Sequence, residues 1–243
     1  MKKDLDFLKG IYIAHRGIHN NDGGIVENSV AAFKKAIDSG LAIELDLCML
    51  KDGKIIVHHD DDFGRLLGLD KNVVDCTYDE IKDLKLLDSN ECVPLFEDVL
   101  KFVDGKVLLD IEIKTGTPPE DICPKICELL DNYKGPFIVK SFSPLIVLWF
   151  KKNRPGYIRG QLAYNFKDNK TLKPMVKFAL KNMLFNILTK PDFIAYDLQS
   201  LPNKKVARLG KNHPVLVWTI TSDDELSDAK KYGDSFIFEG FEV

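Results

Sequence analysis

The stretch Ile43-Glu44-Leu45-Asp46-Leu47-Cys48-Met49-Leu50-Lys51-Asp52-Gly53-Lys54-Ile55-Ile56-Val57-His58-His59-Asp60 decides how this chain is read. Glu44 and Asp46 stand two apart, between Ile43, Leu45 and Leu47. Side chains at i and i+2 share one face of a strand, so the two carboxylates point the same way. Lys51-Asp52-Gly53-Lys54 carries the Asp-Gly signature of a tight turn, and Ile55-Ile56-Val57 brings the chain back. Pairing Lys51 with Lys54 sets His59 opposite Asp46 and His58 opposite Leu47. Two carboxylates and an imidazole then converge within one hairpin, which places acid–base chemistry beside a metal site.

Outward from this hairpin the chain alternates strand and helix. Ile11-Tyr12-Ile13-Ala14 is a short apolar run that delivers His15-Arg16-Gly17 at its tip. Asn28-Ser29 caps a helix whose apolar residues fall at Val30, Phe33 and Ile37 and which ends at Gly40. Val107 to Lys114 reads as a strand with Asp110, Glu112 and Lys114 on one face. With the return arm of the hairpin counted as an excursion, strands begin at Ile11, Ala42, Val107, Phe137, Tyr157, Phe193, Val215 and Ser235. Helical pattern separates most of them. This alternation implies a parallel sheet, and eight units imply a closed (β/α)8 TIM barrel. A doubly wound open sheet would want a glycine-rich fingerprint after the first strand, and His15-Arg16-Gly17 is not one. No repeat or linker divides the sequence. The expected architecture is a single domain over residues 1–243, with the hairpin excursion after the second strand. A small insertion at about 60–106 precedes the third, and Thr77 with Glu80 forms a capping box inside it.

Composition removes several classes of function. Of 243 residues, 45% are hydrophobic and 29% charged, which suits a globular core of ordinary size. The formal net charge of -3 lacks the basic surplus of a nucleic-acid binder. No apolar run follows the lysines of the amino terminus, and no stretch approaches the ~18 apolar residues that span a bilayer. The five cysteines are odd in number and have no framework spacing, so a reducing, cytoplasmic location is expected. Cys123 and Cys127 lie four apart, but two further zinc ligands are missing nearby.

The carboxyl ends of barrel strands carry the working groups. Here those ends hold His15, Arg16, Glu44, Asp46, Glu112, Lys114, Ser141, Asp197, Trp218 and Glu239. Three carboxylates in one cavity repel unless a cation lies between them, and such oxygen ligands suit Mg²⁺ or Ca²⁺. Arg16 and Lys114 are then left to hold an anion, with phosphate the natural one. His15 and His59 supply a general acid and a general base. Trp218, a barrel-wall residue by type, shapes the substrate pocket if it faces the strand ends. His58 points away from His59 and serves packing or solvent, and His19 and His213 lie in loops. Residues 167–190 form a basic, Met- and Phe-rich amphipathic stretch. Its expected place is an outer barrel helix packing its apolar face on the sheet, and its alternative is peripheral contact with a membrane.

Several motifs, in order, resemble the glycerophosphodiester phosphodiesterases. They are His15-Arg16-Gly17, Glu27-Asn28-Ser29 with Ala32-Phe33, Ile43-Glu44-Leu45-Asp46, Lys51-Asp52-Gly53 leading to His59-Asp60, and Glu112-Ile113-Lys114. Ser141-Phe142 and Trp218-Thr219 fit the later strands. The resemblance implies a TIM barrel that uses Mg²⁺ or Ca²⁺ to hydrolyse glycerophosphodiesters to glycerol 3-phosphate and an alcohol. It implies His15 and His59 as the acid–base pair, Glu44, Asp46 and Glu112 as metal ligands, and Arg16 and Lys114 as phosphate ligands. In the family's chemistry the neighbouring glycerol hydroxyl attacks, and water opens the resulting cyclic phosphate. Val26 stands where the family has proline, and the last strand ends in Phe238-Glu239-Gly240 in place of a Thr-Asp motif. Alternatives are a lysophospholipase D-like activity on lipid diesters, and an idle barrel that only binds phosphodiesters.

Overall fold

A computed structural model describes residues 3–243. Its strands are β1 (Tyr12–Ala14), β2 (Ala42–Met49), β3 (Ile55–Val57), β4 (Asp62–Phe63), β5 (Leu69–Asn72), β6 (Leu109–Ile113), β7 (Phe137–Ser141), β8 (Arg159–Ala163), β9 (Phe193–Asp197), β10 (Val215–Ile220) and β11 (Ser235–Phe238). The large sheet runs β1-β11-β10-β9-β8-β7-β6-β2-β3, and β1 also pairs with β2. Eight strands thus form a closed ring, and β3 hangs from β2 as the return arm of the hairpin. The fold is a (β/α)8 barrel. Contacts group the chain into two compact units, Ala14–Phe137 and residues 3–13 with Ile138–Val243.

In the first unit β2 and β6 pair in parallel, with Glu44 beside Asp110 and Asp46 beside Glu112. Parallel neighbours in register project to the same side of the sheet, so the acids of the two strands share a face. The Ser29 side chain caps helix Val30–Asp38 by accepting from the Ala32 N–H at 3.2 Å. That helix buries Ala32, Phe33 and Ala36.

The hairpin register differs by one residue from the expected pairing. Leu47 pairs with Val57, Cys48 with Ile56 and Met49 with Ile55. Leu50, not Lys51, closes on Lys54 (N–H to O, 2.9 Å), and Gly53 takes φ of 81° inside the turn. A third loop residue with left-handed backbone lengthens the connection and shifts every later pair. It is therefore the His58 N–H that donates to the Asp46 carbonyl, at 3.0 Å. The His58 ring is buried, with Nε2 2.9 Å from the Asp62 carbonyl and its centroid 4.9 Å from that of Phe63. Burial pushes its pKa down, which favours the neutral ring.

The inserted segment brings its own core. Phe63, Leu66, Val73, Cys76, Ile81, Leu86 and Val93 cluster with Cys48, Leu50 and Ile56 of the hairpin. The Thr77–Glu80 capping box is present, with the Thr77 N–H donating to Glu80 at 2.7 Å.

In the second unit Gly160 of β8 faces Phe193 of β9, where an added Cβ would lie 2.2 Å from the aromatic ring. Residues 167–190 do not form an outer helix packed along the sheet. They split into Pro174–Lys181 and Asn186–Thr189, separated by Met183 at φ of 51°. Pro174–Lys181 buries no residue, because a helix broken after two turns presents no continuous apolar stripe. Among the described residues no helix is long and apolar enough to cross a membrane.

Candidate active site

The site is assembled within Ala14–Phe137. After β1 the chain turns sharply: Arg16 has φ of 55° and Gly17 of 79°. A Cβ on Gly17 would stand 2.8 Å from the Ala32 carbonyl carbon and Cβ, so only glycine fits against the helix here. This turn aims the Arg16 backbone N–H at Glu44 Oε2, 3.1 Å away. His15 Nε2 lies 3.9 Å from the same oxygen.

Glu44, Asp46 and Glu112 are all buried, and each offers an oxygen within 4.8 Å of the others. A cation at 2.0–2.6 Å from each ligand, the usual range for Mg²⁺ and Ca²⁺, is compatible with that spacing. Hard carboxylate oxygens also match those ions better than zinc. Two cations line the cluster. Lys114 Nζ is 2.9 Å from Glu112 Oε1 and 3.4 Å from Asp46 Oδ1, and Arg16 Nε is 3.4 Å from Asp46 Oδ2. Burial opposes the Lys114 charge, but Asp46 and then Glu112 outweigh it and raise its pKa. Burial likewise opposes the Asp46 charge, and Lys114 and Arg16 hold the carboxyl well below its usual range.

A surrounding set of polar residues fixes these groups. Asn28, at φ of 57°, donates from Nδ2 to Asp46 Oδ2 at 2.9 Å and anchors its own N–H on the Arg16 carbonyl at 2.9 Å. Buried Glu27 accepts from Arg16 Nη1 at 2.6 Å and from both terminal nitrogens of Arg65 at 2.8 Å. Arg65 Nε also donates to Asp60 Oδ2 at 2.8 Å, and Asp60 Oδ1 lies 2.7 Å from His59 Nδ1. The Asp60 carboxyl is partly buried, but hydrogen bonds from Arg65 and His59 lower its pKa. An ionised carboxylate only accepts, so Nδ1 of His59 carries the proton and Nε2 remains to exchange one.

Five carboxylates (Glu27, Glu44, Asp46, Asp60, Glu112) are thus joined to three permanent cations (Arg16, Arg65, Lys114). With both histidines neutral, two formal negative charges are left unmatched, which one divalent cation would balance. Buried Arg16 Nε makes no hydrogen bond and is held only by its ion pair with Asp46 Oδ2 at 3.4 Å.

The sequence-derived groups His15, Arg16, Glu44, Asp46, His59, Glu112 and Lys114 therefore all fall within this one unit. Ser141, Asp197, Trp218 and Glu239 belong to the other. There Asp197 accepts from the Ser200 hydroxyl at 2.5 Å. Trp218 packs edge-on against Phe142 at 5.6 Å and keeps a buried indole N–H without a partner. Glu27, Asn28 and Asp60 stand in the quoted motifs, but no site role follows for them from the sequence, where Asn28 reads only as a helix cap with Ser29. Arg65 had no sequence signal at all, since its partners lie up to 38 residues away.

The model of the glycerophosphoryl diester phosphodiesterase family matches residues 15–238. A glycerophosphodiester phosphodiesterase of Caldanaerobacter subterraneus is 33% identical over 161 residues, covering 61% of this chain and 64% of that protein. Human lysophospholipase D GDPD1 is 28% identical over 136 residues, covering 50% and 41%. The chain thus matches less than two thirds of the length of either relative. An Oleispira antarctica phosphodiesterase, solved with the product sn-glycerol-3-phosphate, superposes with a TM-score of 0.79 at 19% identity. That likeness covers 95% of this chain and 93% of the other, and concerns the fold.

Proposed function

This chain belongs to the glycerophosphoryl diester phosphodiesterase family, and on that premise we propose that it hydrolyses glycerophosphodiesters to glycerol 3-phosphate and an alcohol. The observation that carries this reading is the buried Glu44–Asp46–Glu112 cluster lying against Arg16 and Lys114. A divalent ion, Mg²⁺ or Ca²⁺, held by those three carboxylates would supply charge neutralisation at the phosphate and would acidify a neighbouring hydroxyl.

The protein's own groups do the rest. Arg16 offers its guanidinium, and Lys114 its ammonium, to the phosphoryl oxygens, which orients the diester and offsets its charge. His15 and His59 divide the proton transfers: one removes the proton of the glycerol hydroxyl adjacent to the phosphate, and the other protonates the departing alcohol. Attack by that hydroxyl closes a cyclic phosphate and expels the alcohol. Water then opens the ring, with the histidine roles reversed. Asp60 keeps His59 in the tautomer that presents Nε2. The five cysteines, none of them in a disulfide, suit work in the cytoplasm.

A second reading, hydrolysis of lysophospholipid diesters, is favoured by one observation: the exposed apolar side chains of residues 167–190. The test of both is release of glycerol 3-phosphate from glycerophosphocholine and glycerophosphoethanolamine, beside choline release from lysophosphatidylcholine. EDTA should abolish turnover and Mg²⁺ or Ca²⁺ restore it, while His15→Ala and Glu44→Gln stay inactive. Silence with every diester, with the ion shown to bind, would leave only a phosphodiester-binding barrel.

A further inference from the structure

Residues 167–190 expose apolar side chains that a globular protein normally covers. Met175 is 85% exposed, Ile187 78% and Phe178 63%, and Leu184, Leu188 and Val176 are exposed too. Leu145, 65% exposed, begins the neighbouring helix Pro144–Asn153, which the Lys151 ammonium ties to the Leu188 carbonyl. Helix Pro174–Lys181 buries nothing, while Met183 and Thr189 anchor the segment from below.

The charge of the same segment says what covers it. It carries Lys167, Lys170, Lys173, Lys177, Lys181 and Lys190 against the single acid Asp168, a formal charge of +5. The whole chain is at -3, so the rest of the molecule stands at -8 (the difference between -3 and +5). A second copy docking through the same patch would bring two such lysine clusters face to face, which electrostatics opposes. An anionic bilayer meets both features. Apolar side chains enter the acyl boundary, and flexible lysine stems snorkel their ammonium groups to the lipid phosphates. The acidic remainder of the chain is meanwhile repelled from the surface.

We propose that residues 167–190 are a docking surface for an anionic lipid bilayer. This goes beyond the hydrolysis proposed above, and its test does not need turnover. The intact protein is sedimented with vesicles of phosphatidylglycerol and phosphatidylcholine, and with vesicles of phosphatidylcholine alone. It pellets with the anionic vesicles at about 0.01 M salt and is released at about 1 M, where the screening length falls from ~30 Å to ~3 Å. Phe178→Ser with Ile187→Ser lowers the partition coefficient by about tenfold or more. Lys173→Gln, Lys177→Gln and Lys181→Gln together do the same on anionic vesicles and change nothing on neutral ones. Hydrolysis of soluble glycerophosphoethanolamine is unchanged in both variants. Since the three lysines lie in or directly before one helix that buries no residue, the lysine variant carries the test if the serine variant fails to fold. Three outcomes overturn the proposal: no pelleting on anionic vesicles at low salt, pelleting that survives both sets of substitutions, or a homodimer that dissociates in the Phe178→Ser, Ile187→Ser protein.

Discussion

Arg65 grips Glu27 through two parallel hydrogen bonds of 2.8 Å, Nη1 to Oε2 and Nη2 to Oε1. Its Nε donates at 2.8 Å to Asp60, the carboxylate that holds His59. Glu27 in turn holds Arg16. One guanidinium from the inserted segment therefore couples Arg16, proposed above to bind the phosphate, to His59, proposed above to move a proton. Arg65→Met should lower kcat by ~10–100-fold, the usual effect of removing a group that orients a catalytic one. The pH profile of kcat should shift with it, because Asp60, the partner of His59, loses the Arg65 hydrogen bond that lowers its pKa. Arg65→Lys should recover only part, since an ammonium cannot reproduce the fork. A methionine variant with normal kcat and an unmoved pH profile would remove this role.

Asn28 performs the matching service for the carboxylate cluster. It donates to Asp46 Oδ2 at 2.9 Å from a left-handed backbone that asparagine tolerates better than most residues. Asn28→Ala should weaken Mg²⁺ or Ca²⁺ binding by ~10–100-fold. Titration calorimetry on the substrate-free protein reads this without reference to turnover. Unchanged affinity would mean that Asp46 is held well enough by Arg16 and Lys114.

Much of this site could be read in the sequence because strand periodicity is rigid. Glu44 and Asp46 had to share a face, and parallel pairing of β2 with β6 then delivered Glu112. The hairpin register was not legible in the same way. It hangs on the backbone conformation of Gly53, and one extra loop residue exchanged the places of His58 and His59. Arg65 was invisible for a different reason: its role arises from the folding of the insertion, which local pattern does not encode. In residues 167–190 the expected outer helix is replaced by two short ones, Pro174–Lys181 and Asn186–Thr189, and composition cannot say whether an apolar face meets protein or solvent.

The charge imbalance around Glu44, Asp46 and Glu112 has a thermodynamic consequence. An ion that binds only the folded chain stabilises it by about 2.7 kcal/mol at a hundred times its dissociation constant. For a chain of this length that is a rise in Tm of roughly 5–10 °C. Scanning calorimetry with EDTA, then with Mg²⁺ or Ca²⁺ in excess, measures it directly. Glu112→Gln should erase most of the increment. An equal Tm with and without the ion in the unmodified protein would mean that the cluster does not hold one.

Stability should also fall on the acid side through Glu27. Burial alone would raise the pKa of this carboxyl, but the hydrogen bonds of Arg65 and the charge of Arg16 lower it well below the ordinary value. A group whose pKa is depressed on folding contributes its full stability above the unfolded value, near pH 4.5, and loses it as the pH falls toward the folded one. The ion-free protein should therefore hold a level urea midpoint from about pH 7 to about pH 5 and weaken below that. Glu27→Gln should be less stable at neutral pH by about 2 kcal/mol, a figure discounted for the partial exposure of Arg65. Since glutamine does not ionise, the two stability curves should converge as the acid limb is descended. Parallel curves across that limb would show that Glu27 contributes packing rather than charge.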